Sequence, residues 1–162
     1  MNSERLTFVH YAAEDFEDYF RLVSNADVMK MVTGRPLLRD EAEKRYKEML
    51  KINLESPEIG HFKLSLSSDG GFVGHSKLEM TKKGEAEIGY LMMPDYWGKG
   101  YGNEIAKTLI SIGKKVNEIQ NLIAIIDPEN TASKKILMKQ GFQWDCDGEY
   151  FGLPSAHYKM EL

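Results

Sequence analysis

The sequence predicts a single α+β domain, a mixed and mostly antiparallel sheet of about seven strands flanked by helices in the order βααβββαβαββ. Three observations predict it. The chain has 162 residues, a length that supports one ordinary core. Residues 61–92 hold three consecutive alternating stretches separated by glycine-containing turns, the pattern of an antiparallel meander. Segments of helical period stand on both sides of that meander and alternate with short extended runs.

Each element has its own signal. Arg5-Leu6-Thr7-Phe8-Val9 alternates polar and apolar residues as a strand, and Glu14 to Val23 follows with helical period. Gly34-Arg35-Pro36 breaks the chain. Asp40 is placed to cap a second helix, with Glu43 completing a capping box, and Ser56-Pro57 ends it after about Leu54. His61 to Leu66 alternates, Ser68-Asp69-Gly70-Gly71 turns, and Phe72 to Met80 is extended. Lys82-Lys83-Gly84 then turns into a strand from Glu85 to Met92. Ile105, Leu109, Ile112 and Val116 place one apolar face on a helix from Tyr101 or Gly102 to Val116. Leu122 to Ile126 is continuously apolar, as a strand buried on both faces would be. Asn130 caps a helix to Gln140, Gly141 suits its C-terminal end, and strands over Phe142–Glu149 and Ala156–Glu161 join through Gly152-Leu153-Pro154. Residues 1–162 thus read as one domain without repeat or linker.

Composition narrows the function classes. The chain carries 21 Lys and Arg against 25 Asp and Glu, a formal charge of −4, which argues against a nucleic-acid partner. Its longest apolar run, Leu122 to Ile126, is far short of the roughly 20 residues of a membrane span, so no membrane partner is expected. Met1 to Leu6 is polar and lacks a signal-peptide core, and a cytoplasmic location is expected. The lone Cys146 cannot form an internal disulfide, and its neighbours Asp145 and Asp147 argue against a nucleophilic thiolate. His10, His61, His75 and His157 lack the paired spacing of a zinc site, and no metal is expected.

The chemistry concentrates between Met92 and Glu104. Gly98, Gly100 and Gly102 stand between the end of a strand and the start of a helix, where backbone N–H groups lack intrahelical acceptors and the helix dipole favours an anion. A Walker loop would need glycine at position 93 and Ser or Thr at position 100, where Met93 and Gly100 stand. A dinucleotide fingerprint would need a small residue at position 103, where Asn103 stands.

A second segment runs from Asp127 to Phe142. Together the two resemble the GNAT superfamily of acetyl-CoA-dependent N-acetyltransferases. The family's first motif, Arg or Gln, then Gly, then Gly or Ala, falls on Trp97, Gly100 and Gly102. Its second falls on Asn130, Ser133, Ile136-Leu137, Lys139 and Gly141-Phe142. Pro94 to Glu104 is further similar to the branch of ribosomal-protein N-terminal and spermidine acetyltransferases, where Trp-Gly-Lys-Gly-Tyr is a common spelling.

The resemblance implies that the amides of Gly98, Lys99, Gly100, Tyr101, Gly102 and Asn103 hold the pyrophosphate of acetyl-CoA. It implies that the strand before them splays from its neighbour so that Leu91 and Met92 pair with the pantetheine arm, the Met92 amide polarising the thioester carbonyl. Asn130 and Ser133 would flank the coenzyme on its other side, with Lys139 nearer the phosphates. The implied reaction is direct acetyl transfer to a primary amine, a peptide N-terminus or a small molecule, leaving coenzyme A. Glu87 matches the position of the base in some family members, against a surface pairing with Lys82 or Lys83 or a contact to substrate charge. The tyrosine that many members use as acid is replaced by Leu137, which leaves Ser133, with Tyr158 and Tyr150 in reserve. The helices between Glu14 and Leu54 would wall the acceptor site, their acids Glu14, Asp15, Glu17 and Asp18 either drawing a cationic amine or forming a solvated face. A coenzyme-binding sensor or scaffold is the alternative, and the chain is expected as a monomer or homodimer.

Overall fold

The computed structural model describes Met1–Leu162. In chain order the elements are β1 (Leu6–His10), a 3-10 turn (Ala13–Asp15), α1 (Phe16–Val23), α2 (Ala26–Met29), α3 (Arg39–Glu55), β2 (Gly60–Leu66), β3 (Phe72–Lys82) and β4 (Gly84–Met92). A second 3-10 turn (Pro94–Tyr96), α4 (Tyr101–Gly113), β5 (Ile119–Ile126), α5 (Thr131–Lys139), β6 (Gln143–Tyr150) and β7 (Leu153–Glu161) complete it. The seven strands form one sheet in the order β1-β2-β3-β4-β5-β7-β6. Only β4 and β5 are parallel neighbours.

Strand alternation sorts the central side chains onto two faces. Phe62, Leu64, Leu78, Ala86 and Ile88 join Ile105, Leu109 and Ile112 of α4 in one core. On the other face Leu91 and Phe72 meet a second core of Tyr19, Leu22, Val28, Met29, Tyr46 and Met49 from the first three helices. His61, His75, Lys77, Glu79 and Glu87 share that second face and look into the space beneath those helices. β3 and β4 approach so closely that a Cβ on Gly74 would lie 2.1 Å from the Leu91 carbonyl oxygen.

Several boundaries differ from the sequence expectation, each for a local reason. The cap of α3 falls on Leu38 instead of Asp40, because Glu41, not Glu43, reaches back to accept the Leu38 N–H at 2.8 Å. α1 starts at Phe16, after a turn in which the Asp15 carboxylate accepts the Ala12 N–H at 3.0 Å. The single helical turn α2 is set by Asn25, whose side chain accepts the N–H groups of Asp27 and Val28. It is too short for periodicity to show.

α4 ends at Gly113 instead of Val116, which packs on the core from the following turn. β5 is not buried on both faces: Leu122 and Ala124 are buried, whereas Ile123, Ile125 and Ile126 are half-buried. The reason is its pairing with β4, which runs from Gly84↔Ile119 to Glu87↔Ile123 and stops, although β4 continues to Met92 and β5 to Ile126. β7 begins at Leu153 instead of Ala156, after a tight hairpin with Phe151 at φ +51° and Gly152 at φ +76°.

Candidate active site

The glycine segment forms a cradle of backbone donors. Gly98 and Gly100 adopt φ of +70° and +83°, which L side chains rarely take, and so turn the chain into α4. Gly100 is the N-cap of α4 and offers no side-chain cap. The amides of Gly98, Lys99, Gly100, Tyr101, Gly102 and Asn103 donate to no acceptor within the protein. The first α4 N–H with a partner is that of Glu104, bonded to the Gly100 carbonyl at 3.3 Å. A run of free donors on the positive end of a helix is an arrangement that favours an anion. Gly102 serves packing instead, since a Cβ there would lie 2.9 Å from Ile136 Cδ1 and 3.3 Å from Tyr90 Cε2.

Trp97 stands where the family's first motif has Arg or Gln. Its indole Nε1 donates to the Met92 carbonyl at 2.9 Å and closes the loop that carries the cradle. Asn103 turns its side chain to Gln140, accepting from Nε2 at 2.8 Å, and so ties α4 to the end of α5. Asn130 caps α5 by accepting the Ser133 N–H at 3.0 Å.

Where β4 and β5 part, a cavity of about 410 Å³ opens on the face covered by α1 to α3. Past Glu87 and Ile123, the facing edges of the two strands have no ladder partner in each other, which leaves backbone groups for an extended ligand. The cavity floor is polar. Lys77 Nζ lies 2.8 Å from the Glu87 carboxylate, with the two side chains only 18% and 13% exposed. Burial works to lower the Lys77 ammonium, but the Glu87 charge overcomes it and holds the group above the ordinary lysine value. Beside them His61 Nε2 lies 3.3 Å from Glu79, whose carboxyl is held below the usual range by that contact. His75 stacks on His61 with centroids 5.4 Å apart, and its burial drives its ring well below the ordinary histidine value.

The sequence profile of the acetyltransferase (GNAT) domain matches residues 5–143 of this chain. The chain belongs to the GNAT acetyltransferase family. An uncharacterized N-acetyltransferase p20 of Bacillus licheniformis is 28% identical to it over 144 residues, 87% of this chain and 80% of the relative. The GNAT-family acetyltransferase structure from Bacillus anthracis superposes with a TM-score of 0.84 at 22% identity, covering 99% of this chain and 97% of that one. Spermidine N-acetyltransferase from Vibrio cholerae, solved with CoA and spermine, has a TM-score of 0.80 at 16% identity, covering 96% of this chain and 95% of that one. The chain is accordingly an N-acetyltransferase of a family that uses acetyl-CoA.

In this GNAT fold the cavity gathers Glu87, Leu91, Asn130 and Ser133, four of the residues singled out by sequence. Met92, the stretch from Gly98 to Asn103 and the exposed Lys139 lie outside it, toward the cradle and the end of α5. Glu87 is not paired at the surface with Lys82 or Lys83. Its partner is Lys77, while Lys82 reaches Glu85 at 3.3 Å. Tyr150 lines the cavity, but Tyr158 is buried in the α4-side core and unavailable to a ligand there. The helices after Glu14 do wall the cavity, through Tyr19, Met29, Met49 and Ile52 among others. The acids Glu14, Asp15, Glu17 and Asp18 do not: Asp15 and Asp18 hold Lys63 at 2.6 and 3.0 Å, Glu17 pairs with Arg39 at 2.8 Å, and the acid of these helices that lines the cavity is Glu48.

Sequence reasoning missed Lys77, Glu79, His61 and His75, which become one cluster only through the β2–β3–β4 register. Period-two spacing of His75, Lys77 and Glu79 was the available signal. It also missed Tyr90, whose buried hydroxyl lines the cavity beside Ser133 without a hydrogen bond of good geometry. Burial raises that phenol, and Ser133 only partly offsets it.

Proposed function

We propose that this enzyme transfers the acetyl group of acetyl-CoA to a primary amine held in the cavity beneath α1 to α3. The reading is carried by one observation: six unpartnered amides at the start of α4 adjoin a strand edge that loses its β5 partner and opens into that cavity. In this reading the amides of Gly98, Lys99, Gly100, Tyr101, Gly102 and Asn103 bind the pyrophosphate. Leu91 and Met92 run along the pantetheine arm, which meets the Met92 N–H because the Met92 carbonyl is held by Trp97, and Asn130, Ser133 and Lys139 line the opposite side. Acetyl-CoA supplies an activated thioester carbonyl when bound.

The protein's own groups then manage protons. Glu87 faces the cavity with its carboxylate fixed by Lys77, and it accepts the amine proton as the nitrogen lone pair enters the new bond and the N–H becomes acidic. An ammonium has no lone pair with which to attack, so the amine binds neutral or loses its first proton to water. Ser133 Oγ, on the α5 wall, donates toward the departing thiolate in place of the tyrosine that Leu137 replaces. The acceptor is a peptide N-terminus or a small-molecule amine.

The test is Gly100→Glu, which places a side chain and a negative charge in the cradle. Calorimetry with acetyl-CoA is expected to show no binding, with far-UV circular dichroism and cooperative unfolding retained. Wild-type affinity in that variant would sink the proposal. Thiol release with a panel of amines would then identify the acceptor.

A further inference from the structure

The segment before β1 makes an arrangement that neither the two sequence motifs nor the cavity uses. Met1 to Arg5 folds back on β1, with an Asn2↔Thr7 bridge and the terminal amino group donating to the Phe8 carbonyl at 2.8 Å. This places Ser3 and Arg5 against the first turn of α4. Arg5 Nη1 donates to the Lys99 carbonyl at 3.1 Å, inside the amide cradle. Its Nε and its backbone N–H donate to the two carboxylate oxygens of Glu104 at 2.8 and 2.7 Å, and its guanidinium lies 4.1 Å from the centroid of the Tyr101 ring. Ser3 Oγ adds a bond of 2.6 Å to Glu104.

These contacts have two consequences for an anion at the cradle. The first is geometric. The Lys99 peptide carries a carbonyl on one side and continues into the free Gly100 N–H on the other, so fixing the carbonyl fixes the direction of that donor. The second is electrostatic. Glu104 puts a carboxylate in the first turn of the helix whose N-terminus must receive negative charge, and alone it would oppose the ligand. Burial would raise its carboxyl, but hydrogen bonds from Ser3 and Arg5 outweigh that and keep it ionised and compensated.

We infer that Arg5 is a positioning residue for the phosphates of the coenzyme: it orients the cradle through Lys99 and cancels the charge of Glu104. The inference rests on the proposal that the cradle binds the pyrophosphate. A planar guanidinium is required because Lys could pair with Glu104 but could not also bond the Lys99 carbonyl and stack on Tyr101.

The experiment compares two donors, acetyl-CoA and S-acetylpantetheine, which lacks the pyrophosphate, in the wild type and in Arg5→Ala, Arg5→Lys and Arg5→Ala/Glu104→Gln. Arg5→Ala is expected to lower kcat/KM for acetyl-CoA by about tenfold or more, mainly through KM, and for acetylpantetheine by less than about twofold. Arg5→Lys should fall between wild type and Ala. The added Glu104→Gln should restore about threefold or more by removing the uncompensated carboxylate. Equal losses with both donors would make Arg5 merely structural and overturn the inference, as would no loss with either. Should Arg5→Ala fail to fold, Arg5→Lys carries the same donor comparison. Failure of wild-type protein to bind coenzyme A in calorimetry would instead overturn the phosphate-site proposal itself, so the two failures are distinct.

Discussion

Glu87 has two possible duties, holding Lys77 and accepting a proton, and a double-mutant cycle separates them. The pair is 2.8 Å apart with side chains 18% and 13% exposed, so removing either partner strands a mostly buried charge. A fully buried pair broken this way costs about 3–5 kcal/mol; the cavity admits water here, and about 2 kcal/mol is expected for Glu87→Gln or Lys77→Met. For a chain of this length that corresponds to a drop in Tm of about 4–8 °C. Met is the apt replacement because the Lys77 stem lies over Gly89, where a Cβ would sit 3.2 Å from Lys77 Cε.

Together the two changes remove both charges, and the double variant should lose only about 1 kcal/mol, giving a coupling energy of about 3 kcal/mol. Denaturant unfolding of the four proteins measures it. The pair persists at neutral pH: because the folded Lys77 value is raised, its contribution is complete below the ordinary lysine value and is lost only as pH climbs through the raised one. Turnover should follow a different pattern. If Glu87 accepts the proton, Glu87→Gln loses about 100-fold in kcat, and the double variant remains as slow although its stability returns. Recovery of turnover along with stability would refute a chemical role for Glu87. Additive stability losses would refute the ion pair.

Two further predictions concern buried polar groups. Burial holds His75 well below 6.5 in a setting of His61, Lys77, Tyr11 and Tyr19, whereas the unfolded chain takes up the proton near 6.5. Its stabilising contribution is therefore present above that value and lost as pH falls below it, at up to about 1.4 kcal/mol per pH unit, and unfolding curves at about pH 7 and pH 5.5 should show a shallower loss for His75→Phe than for wild type. Tyr90→Phe removes a buried hydroxyl without a well-formed bond and keeps the ring against Gly102, so stability should stay level or rise by about 1 kcal/mol in denaturant unfolding. A comparable loss would show that the hydroxyl has a partner worth keeping.

The order of elements along the chain and the glycine turn into α4 were legible because each rests on local rules. Alternation over Phe72–Met80 and Glu85–Met92 fixes which side chains share a face, and glycine at positions 98 and 100 answers to backbone angles that other residues avoid. The cap of α3 was misplaced by two residues because Asp40 and Glu43 have the same spacing as Leu38 and Glu41, and only the added pull of Arg35 on Glu41 at 2.6 Å favours the latter. The exposure of Ile123 and Ile125 was hidden for another reason. An apolar run reads alike whether its second face meets protein or a ligand channel, and the early end of the β4–β5 ladder is a property of two distant segments together. The cavity floor follows the same logic, since His61 and Glu79 lie on different strands and meet only by register.

In the proposed site, local pairing lets a chain of net charge −4 receive an anion at one end. The formal count includes Glu104, yet Arg5 and Ser3 offset its charge locally, and it excludes the helix dipole and the free amides of the cradle. At the other end Lys77 is cancelled by Glu87 on the cavity floor, while Arg45 of α3, stacked over the Phe151 ring, lines the same cavity together with Glu48. The acids on α1 are consumed by Lys63 and Arg39 and add little field within the cavity. Both ends of the site are thus set by local pairing, and the sum over the whole chain predicts neither.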